Sequence, residues 1–247
     1  MPKTQNRGKM MMFLARVLAD PAVLTKFQVD QDNLTATSIP IYYNTLEGNQ
    51  PKTNKNTIHL WQTDGWDTSV QELKTFKIES DQASGPQSFD IDLANVNYLI
   101  GYAVGEGKGA VVTTQRLETQ GGGKWNVIPA PDTEALSFNM TNVNTTTVSY
   151  SFRIPLGTSA EANGDWIGVW KGSTGSYLYD KEKPPISLKS ISIDDSYGND
   201  RLTLSNGQQF TSGASYMLGY FKSGYNSSNP TESVRSTLAA IVKFKGP

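Results

Sequence analysis

The stretches NTIHLWQ (56–62) and DWIGVWK (165–171) decide the reading of this chain. They lie 109 residues apart and agree in character position by position: Ile58 with Ile167, Leu60 with Val169, Trp61 with Trp170. At the same spacing, with no gap, Ile39, Ile41 and Tyr43 fall on Val148, Tyr150 and Phe152. Each of those triplets takes every second residue, the period of a half-buried strand. At a spacing of 118, NYLIGYAVG (97–105) falls on SYMLGYFKS (215–223), pairing Tyr98 with Tyr216, Gly101 with Gly219 and Tyr102 with Tyr220. A last apolar stretch, Val111 to Leu117, corresponds to Leu238 to Phe244. Four elements recur in one order, which is the mark of a duplicated module.

The sequence Asp165-Trp166-Ile167-Gly168-Val169-Trp170 resembles a strand of SKICH domains and of the immunoglobulin-like N-terminal domain of plant purple acid phosphatases, over Ser149 to Lys171. The resemblance implies an immunoglobulin-like sandwich. The first copy departs from it, with Asn56-Thr57 where Asp165-Trp166 stand, and no metallophosphatase motif accompanies it, so no activity carries over. Ile186 to Ile193 reads as a further strand. Leu202 and Leu204 lead into Asn206-Gly207, a two-residue hairpin signal, with Phe210 beyond. Turn signals separate short strands throughout, and no helical period follows residue 37. The expected fold is all-β: two tandem, internally duplicated Ig-like antiparallel β-sandwich modules (38–118 and 137–247) preceded by a short N-terminal helical segment (1–37). The glycine- and proline-rich TQGGGKWNVIPAPDTEA (119–135) reads as a linker, so 119–136 is assigned to the connection.

The helical expectation rests on the spacing of Leu14, Val17, Leu18 and Pro21, then Leu24 and Phe27, which approximates an i, i+3, i+4, i+7 stripe. Asp20-Pro21 has the form of an N-cap followed by proline at the first helical position. The same stretch, Leu18-x-Asp20-Pro21-x-x-Leu24-x-x-Phe27, resembles the helical start of nitrile-hydratase-type leader peptides. Arg16 interrupts the apolar run and no small-x-small site follows, so a signal peptide is not expected and the chain reads as cytoplasmic as synthesised, with release by a non-standard route open. Leu14, Val17, Leu18, Leu24 and Phe27 are the expected contacts of an arm docked on the body of the protein or on a neighbour.

Composition excludes several chemistries. The 247 residues hold no cysteine and one histidine, which removes disulfides, thiol catalysis and multi-histidine metal sites within one chain. Net charge is −1, and no basic cluster is interleaved with aromatics, so nucleic acid is not an expected partner. His59 has no G-x-S-x-G serine to serve, and Gly105 to Gly109 joins two strands rather than a strand and a helix, so neither a hydrolase triad nor a phosphate loop is expected. Asp194, Asp195, Asn199 and Asp200 crowd one turn and are the candidate calcium ligands, since hard cations take several oxygens from a short flexible loop. The candidate ligand-binding aromatics are Trp61, Trp66, Trp170, Tyr177 and Tyr179, whose rings can stack on the C–H faces of sugars.

These observations favour a non-catalytic binding or assembly protein. Charged residues are only 18%, and Tyr, Asn, Gly and Ser abound, a surface suited to contacts between like subunits. The expected partner is the chain itself, as a homo-oligomer. Two alternatives stay open: a membrane-active toxin, with 109–124 and 136–152 as pore hairpins, and a lectin-like carbohydrate-binding protein.

Overall fold

A computed structural model describes residues 19–247 of the chain. In its first half run β1 (Val23–Leu24), β2 (Lys26–Val29), β3 (Ser38–Asn44), β4 (Thr57–Gln62), β5 (Glu72–Lys77), β6 (Ser84–Asp90), β7 (Tyr98–Ala103), β8 (Val111–Gly121) and β9 (Lys124–Pro129). The second half holds β10 (Ser137–Val143), β11 (Thr147–Arg153), β12 (Trp166–Lys171), β13 (Ser187–Ser190), β14 (Tyr197–Thr203), β15 (Ser215–Phe221) and β16 (Leu238–Lys245). All pairings among them are antiparallel. The described residues are all-β, with four sheets forming two sandwiches of the immunoglobulin-like class.

In the first module the sheet β2-β3-β6 faces the sheet β5-β4-β7-β8-β9; in the second, β10-β11-β14 faces β13-β12-β15-β16-β1. The duplication reaches the register. Tyr42 opposes Pro86 on β6 as Ser151 opposes Asn199 on β14, and β6 and β14 share one burial pattern, residue for residue. A bulge that skips Val112 between Tyr102 and Ala103 recurs between Tyr220 and Phe221, skipping Ala239. The period-two residues form the cores: Phe27, Ile39, Ile41 and Tyr43 meet Ile58, Leu60, Ile100 and Tyr102, while Phe138, Val148, Tyr150 and Phe152 belong with Ile167, Val169, Leu218 and Tyr220.

The central strands β4, β7, β12 and β15 are buried on both faces, which explains their continuous apolar runs. Their outer faces carry separate clusters. Trp61, Leu99, Ala103 and Val111 lie under Trp66 and Val70, from the loop between β4 and β5. Trp166, Trp170, Met217 and Phe221 lie under Leu178 and Tyr179, from the loop between β12 and β13, and under Leu46 of the other module.

Two expectations are corrected. Where helix was expected, Val23–Leu24 and Lys26–Val29 are strands: Thr25, Phe27 and Val29 are buried while Lys26 and Gln28 are exposed, a period of two that outweighs the approximate helical stripe. Phe27 opposes Tyr43 as Phe138 opposes Phe152, so β2 is the first strand of module 1 rather than part of an arm. Leu24 sits in β1, and Leu14, Val17 and Leu18 lie outside the described residues. Likewise the connection is shorter than 119–136. Residues 119–129 form the end of β8, a turn at Gly121 to Gly123 with three positive φ angles, and β9. Trp125 there is buried and donates its indole N–H to Val96 O at 2.8 Å. Only 130–136 links the modules.

The modules hold each other reciprocally. The loop after β3 in module 1 and the loop after β11 in module 2 each rest on the loop that leaves the central strand of the other. Gly48 packs on Ser176 and Tyr179, and its counterpart Gly157 packs on Asp67, Thr68 and Ser69. Both glycines have left-handed φ, +89° and +83°. A Cβ would come 2.8 Å from Ser176 Cα at Gly48 and 2.7 Å from the Thr68 nitrogen at Gly157, so both positions require glycine. Thr68 adds a hydroxyl and an N–H bond to Leu156 O, at 2.8 and 3.0 Å.

Candidate functional site

The five aromatics singled out from the sequence divide between the two outer faces and do not form one site. Trp61 and Trp170 occupy equivalent places and are buried, 0% and 2% exposed. Trp170 donates to Lys183 O at 2.8 Å, and Trp61 stacks with His59 at 5.7 Å between centroids. Trp66 is half-buried, closing the Trp61 cluster, with the Arg116 guanidinium 5.6 Å from its ring. Tyr177 is 39% exposed with Lys183 over its ring, whereas Tyr179 is half-buried at the junction between modules. Burial raises the Tyr179 phenol well above its ordinary range, and its hydroxyl has no partner among the described residues.

The carboxylates of the 194–200 turn have other partners. Asp194 accepts from Ser159 Oγ at 2.6 Å, and Asp195 accepts from the Ser196 N–H at 2.6 Å. Asp200 accepts from Lys189 Nζ at 2.8 Å and from the Tyr150 hydroxyl at 3.0 Å. Burial opposes that charge, but the Lys189 bond leads the effects that together hold the Asp200 carboxyl below its ordinary range. Asn199 lies on β14, at the register position opposite Ser151. Among the described residues, no group of three or more His, Asp or Glu side chains is arranged to hold a metal ion.

His59 sits in a polar knot. Its Nε2 is 2.9 Å from the Thr57 hydroxyl and its Nδ1 is 2.9 Å from Glu72 Oε1, which also accepts from Thr75. Hydroxyl, imidazole and carboxylate stand in the order a nucleophilic triad uses. Here, however, the Thr57 hydroxyl also lies 3.0 Å from Gly105 O, and Thr57 and His59 are buried at 5% and 2% exposure. Burial dominates the His59 imidazole and lowers its pKa, with Glu72 opposing and Lys108 assisting. The knot fastens β4 to β5, and Thr57 presents no open hydroxyl.

Both stretches considered as pore hairpins are strands of the sandwiches. Residues 109–124 run through β8, where Val111, Val112 and Leu117 are fully buried, and 136–152 run through β10 and β11, where Phe138, Val148 and Tyr150 are buried.

The most distinctive exposed surface lies away from all five of these aromatics. On the outer face of β2-β3-β6, Gln28, Tyr42 and Pro86 lie side by side across three strands. Tyr42 is 58% exposed, more than any other large hydrophobic residue described. A groove of about 420 Å³ lies on one side of it, lined by Lys26, Gln28, Asn44 and Ser84, and one of about 390 Å³ lies on the other, lined by Asp30, Pro40, Pro86 and Ser88. The corresponding row in module 2 is polar, with Ser151 for Tyr42 and Asn199 for Pro86, and Ser149 stands for Pro40. The signal was present in SIPIYYN (38–44): once Ile39, Ile41 and Tyr43 point inward, Tyr42 must point out.

No family model matches the chain, and no curated protein sequence matches it. Among solved structures, a two-domain fibronectin type III segment from chicken tenascin is similar at 10% identity, with 83% of this chain and 91% of that one covered and a TM-score of 0.22. A β-glycosidase from Bacteroides vulgatus is similar at 9% identity, with 81% of this chain and 23% of that one covered and a TM-score of 0.20. The sandwich assignment follows from the strand order itself.

Proposed function

We propose that the protein is a non-catalytic assembly protein that self-associates through the outer face of β2-β3-β6, with Tyr42 at its centre. The observation that carries this reading is the exposed row Gln28–Tyr42–Pro86, present in one module and replaced by small polar residues in the other. Tyrosine with flanking prolines offers a large, stiff contact at low entropic cost. Opposite charges also flank Gln28: Lys26 opens β2 and Asp30 directly follows it, about 13 Å apart at strand rise. A two-fold axis through the Gln28–Tyr42 row sets Lys26 of one copy against Asp30 of the other, the self-complementarity an isologous contact needs.

The test is a charge exchange read by sedimentation velocity. Lys26→Asp sets like charges against each other and weakens association. Adding Asp30→Lys restores the complementarity and the association. Equal weakening by the single and double variants contradicts the two-fold arrangement.

A second reading keeps the face and changes the partner. The Tyr42 ring, with the Gln28 and Asn44 amides beside it, suits a neutral saccharide stacked on the aromatic plane. Binding on a glycan array that Tyr42→Ser abolishes supports that reading; a blank array removes it.

A further inference from the structure

The position beside the last strand of each sandwich is filled from the segment that leads into the other sandwich. In module 1, β9 flanks β8 and then runs into β10, the first strand of module 2. In module 2, β1 flanks β16 and then runs into β2, the first strand of module 1. The β1 pairing is extended by Asp20 N–H to Lys243 O at 3.0 Å and Thr25 N–H to Ala239 O at 3.1 Å. Module 1 thus supplies β1 to the sheet of module 2, and the Gly48 and Gly157 contacts hold the two modules together reciprocally.

We propose that this module–module interface also forms between two copies of the chain: module 1 of one copy, carrying β1, seats on module 2 of a second copy, with residues 130–136 as the hinge. Thr25 is the single residue between β1 and β2, so β1 cannot move to another copy without its module. Exchange therefore transfers module 1 whole. The hinge can open at its middle, because Pro131, Asp132 and Thr133 are exposed while Leu136 at its end is buried, and its hydrogen bonds are a local turn on Pro131 O and one bond from Arg153 to Thr133 O. The contacts made are the same in the closed monomer and in the exchanged pair. Hinge conformation and protein concentration then set the balance, as in other exchanges of identical elements. The occupant of the β16 edge is accordingly residues 20–25 of a second copy. The exchange does not use the Tyr42 face and stands apart from the assembly reading.

The absence of cysteine makes the test direct. Val23 and Ile241 are opposed in register, at a separation within disulfide reach. Chains carrying Val23→Cys alone and Ile241→Cys alone are unfolded together, refolded at micromolar and at near-millimolar concentration, oxidised, and run on a non-reducing gel. Exchange predicts a covalent dimer joining one chain of each kind, rising several-fold with concentration during refolding and persisting when both chains also carry Tyr42→Ser. The Val23→Cys/Ile241→Cys double variant closes within the chain when refolded dilute, which establishes that the pair can form. A double variant that closes internally while the mixed single variants stay uncrosslinked overturns the exchange. So does a crosslink that vanishes with Tyr42→Ser, because it then reports proximity through the other face. A double variant that never closes overturns the β1–β16 pairing and the proposal with it.

Discussion

Asp165 and Lys222 face each other at 2.7 Å with neither side chain exposed, and module 1 has Asn56 and Val104 in the same two places. The correspondence follows from register: Thr57 opposes Ala103 as Trp166 opposes Phe221, and the residues in question lie one step outside each pair. A charged pair in one copy is a neutral amide and an aliphatic in the other. Both versions keep the tyrosine that bonds the acid or amide, Tyr220 to Asp165 at 2.6 Å and Tyr102 to Asn56 at 2.9 Å. The Asp165 carboxylate also accepts from the Ser223 N–H at 2.9 Å, so each of its oxygens has a protein donor, although burial still raises its pKa.

Removing one partner alone leaves the other charge buried. Lys222→Met is expected to cost about 3–5 kcal/mol in guanidinium unfolding. The double variant Asp165→Asn/Lys222→Val, which copies module 1, is expected to be at least as stable as the native chain, because replacing a whole buried pair is often neutral or stabilising. A double variant as unstable as Lys222→Met contradicts the equivalence of the two sites.

Gly48 and Gly157 are expected to be intolerant of any side chain. Alanine at either combines the left-handed penalty of roughly 1–2 kcal/mol with a clash against the opposing backbone, so each is expected to lower stability by at least about 2 kcal/mol. Gly207 provides the control. Its φ is +69° but its surroundings are open, so Gly207→Ala is expected to cost only the conformational part, about 1 kcal/mol. Equal effects at all three positions would show that the reciprocal seating adds nothing.

His59 is the only imidazole, so one NMR titration reads it without assignment. Burial lowers its folded pKa beneath the unfolded value of about 6.5. The stability this contributes is complete above pH 6.5. It is lost as pH falls through that value toward the folded pKa, because the unfolded chain takes up the proton first. The imidazole is expected to titrate below 6.5, and His59→Gln to flatten the decline in stability just below that pH. A midpoint at or above 6.5 would mean that Glu72 outweighs burial.

Calcium is expected to leave the melting temperature unchanged, and a chelator likewise. Asp200 is already held by Lys189 and Tyr150, and Asp194 by Ser159. A ligand of the native state raises the transition, so a reproducible rise with calcium would show that the 194–200 turn rearranges to bind it.

Much of this architecture was legible because duplication lets each half check the other. Trp61 against Trp170 and Gly101 against Gly219 located the central strands, and period two located the cores. The N-terminal strands were hidden because Leu24 and Phe27 satisfy a loose helical spacing while Thr25, Phe27 and Val29 satisfy a strand. Only the presence of a waiting edge on β16 and a partner in β3 selects the strand, and both are tertiary facts. The β8–β9 turn passed for a linker because three successive glycines mark any exposed reversal, whether or not a strand such as Lys124–Pro129 follows. The outward direction of Tyr42 follows from period two, but its neighbours Gln28 and Pro86 are set by strand register, which the local pattern does not encode. The seating of Gly48 and Gly157 depends on which loops meet, which no local pattern encodes.

The most direct test of the assembly reading is the mass of the full-length chain by light scattering over a range of concentration, beside Tyr42→Ser. The native mass is expected to exceed 27.0 kDa and to grow toward a discrete multiple with concentration, and the Tyr42→Ser mass to shift down toward the single chain. A native chain that stays at 27.0 kDa throughout, or an oligomer indifferent to Tyr42→Ser, would contradict that reading.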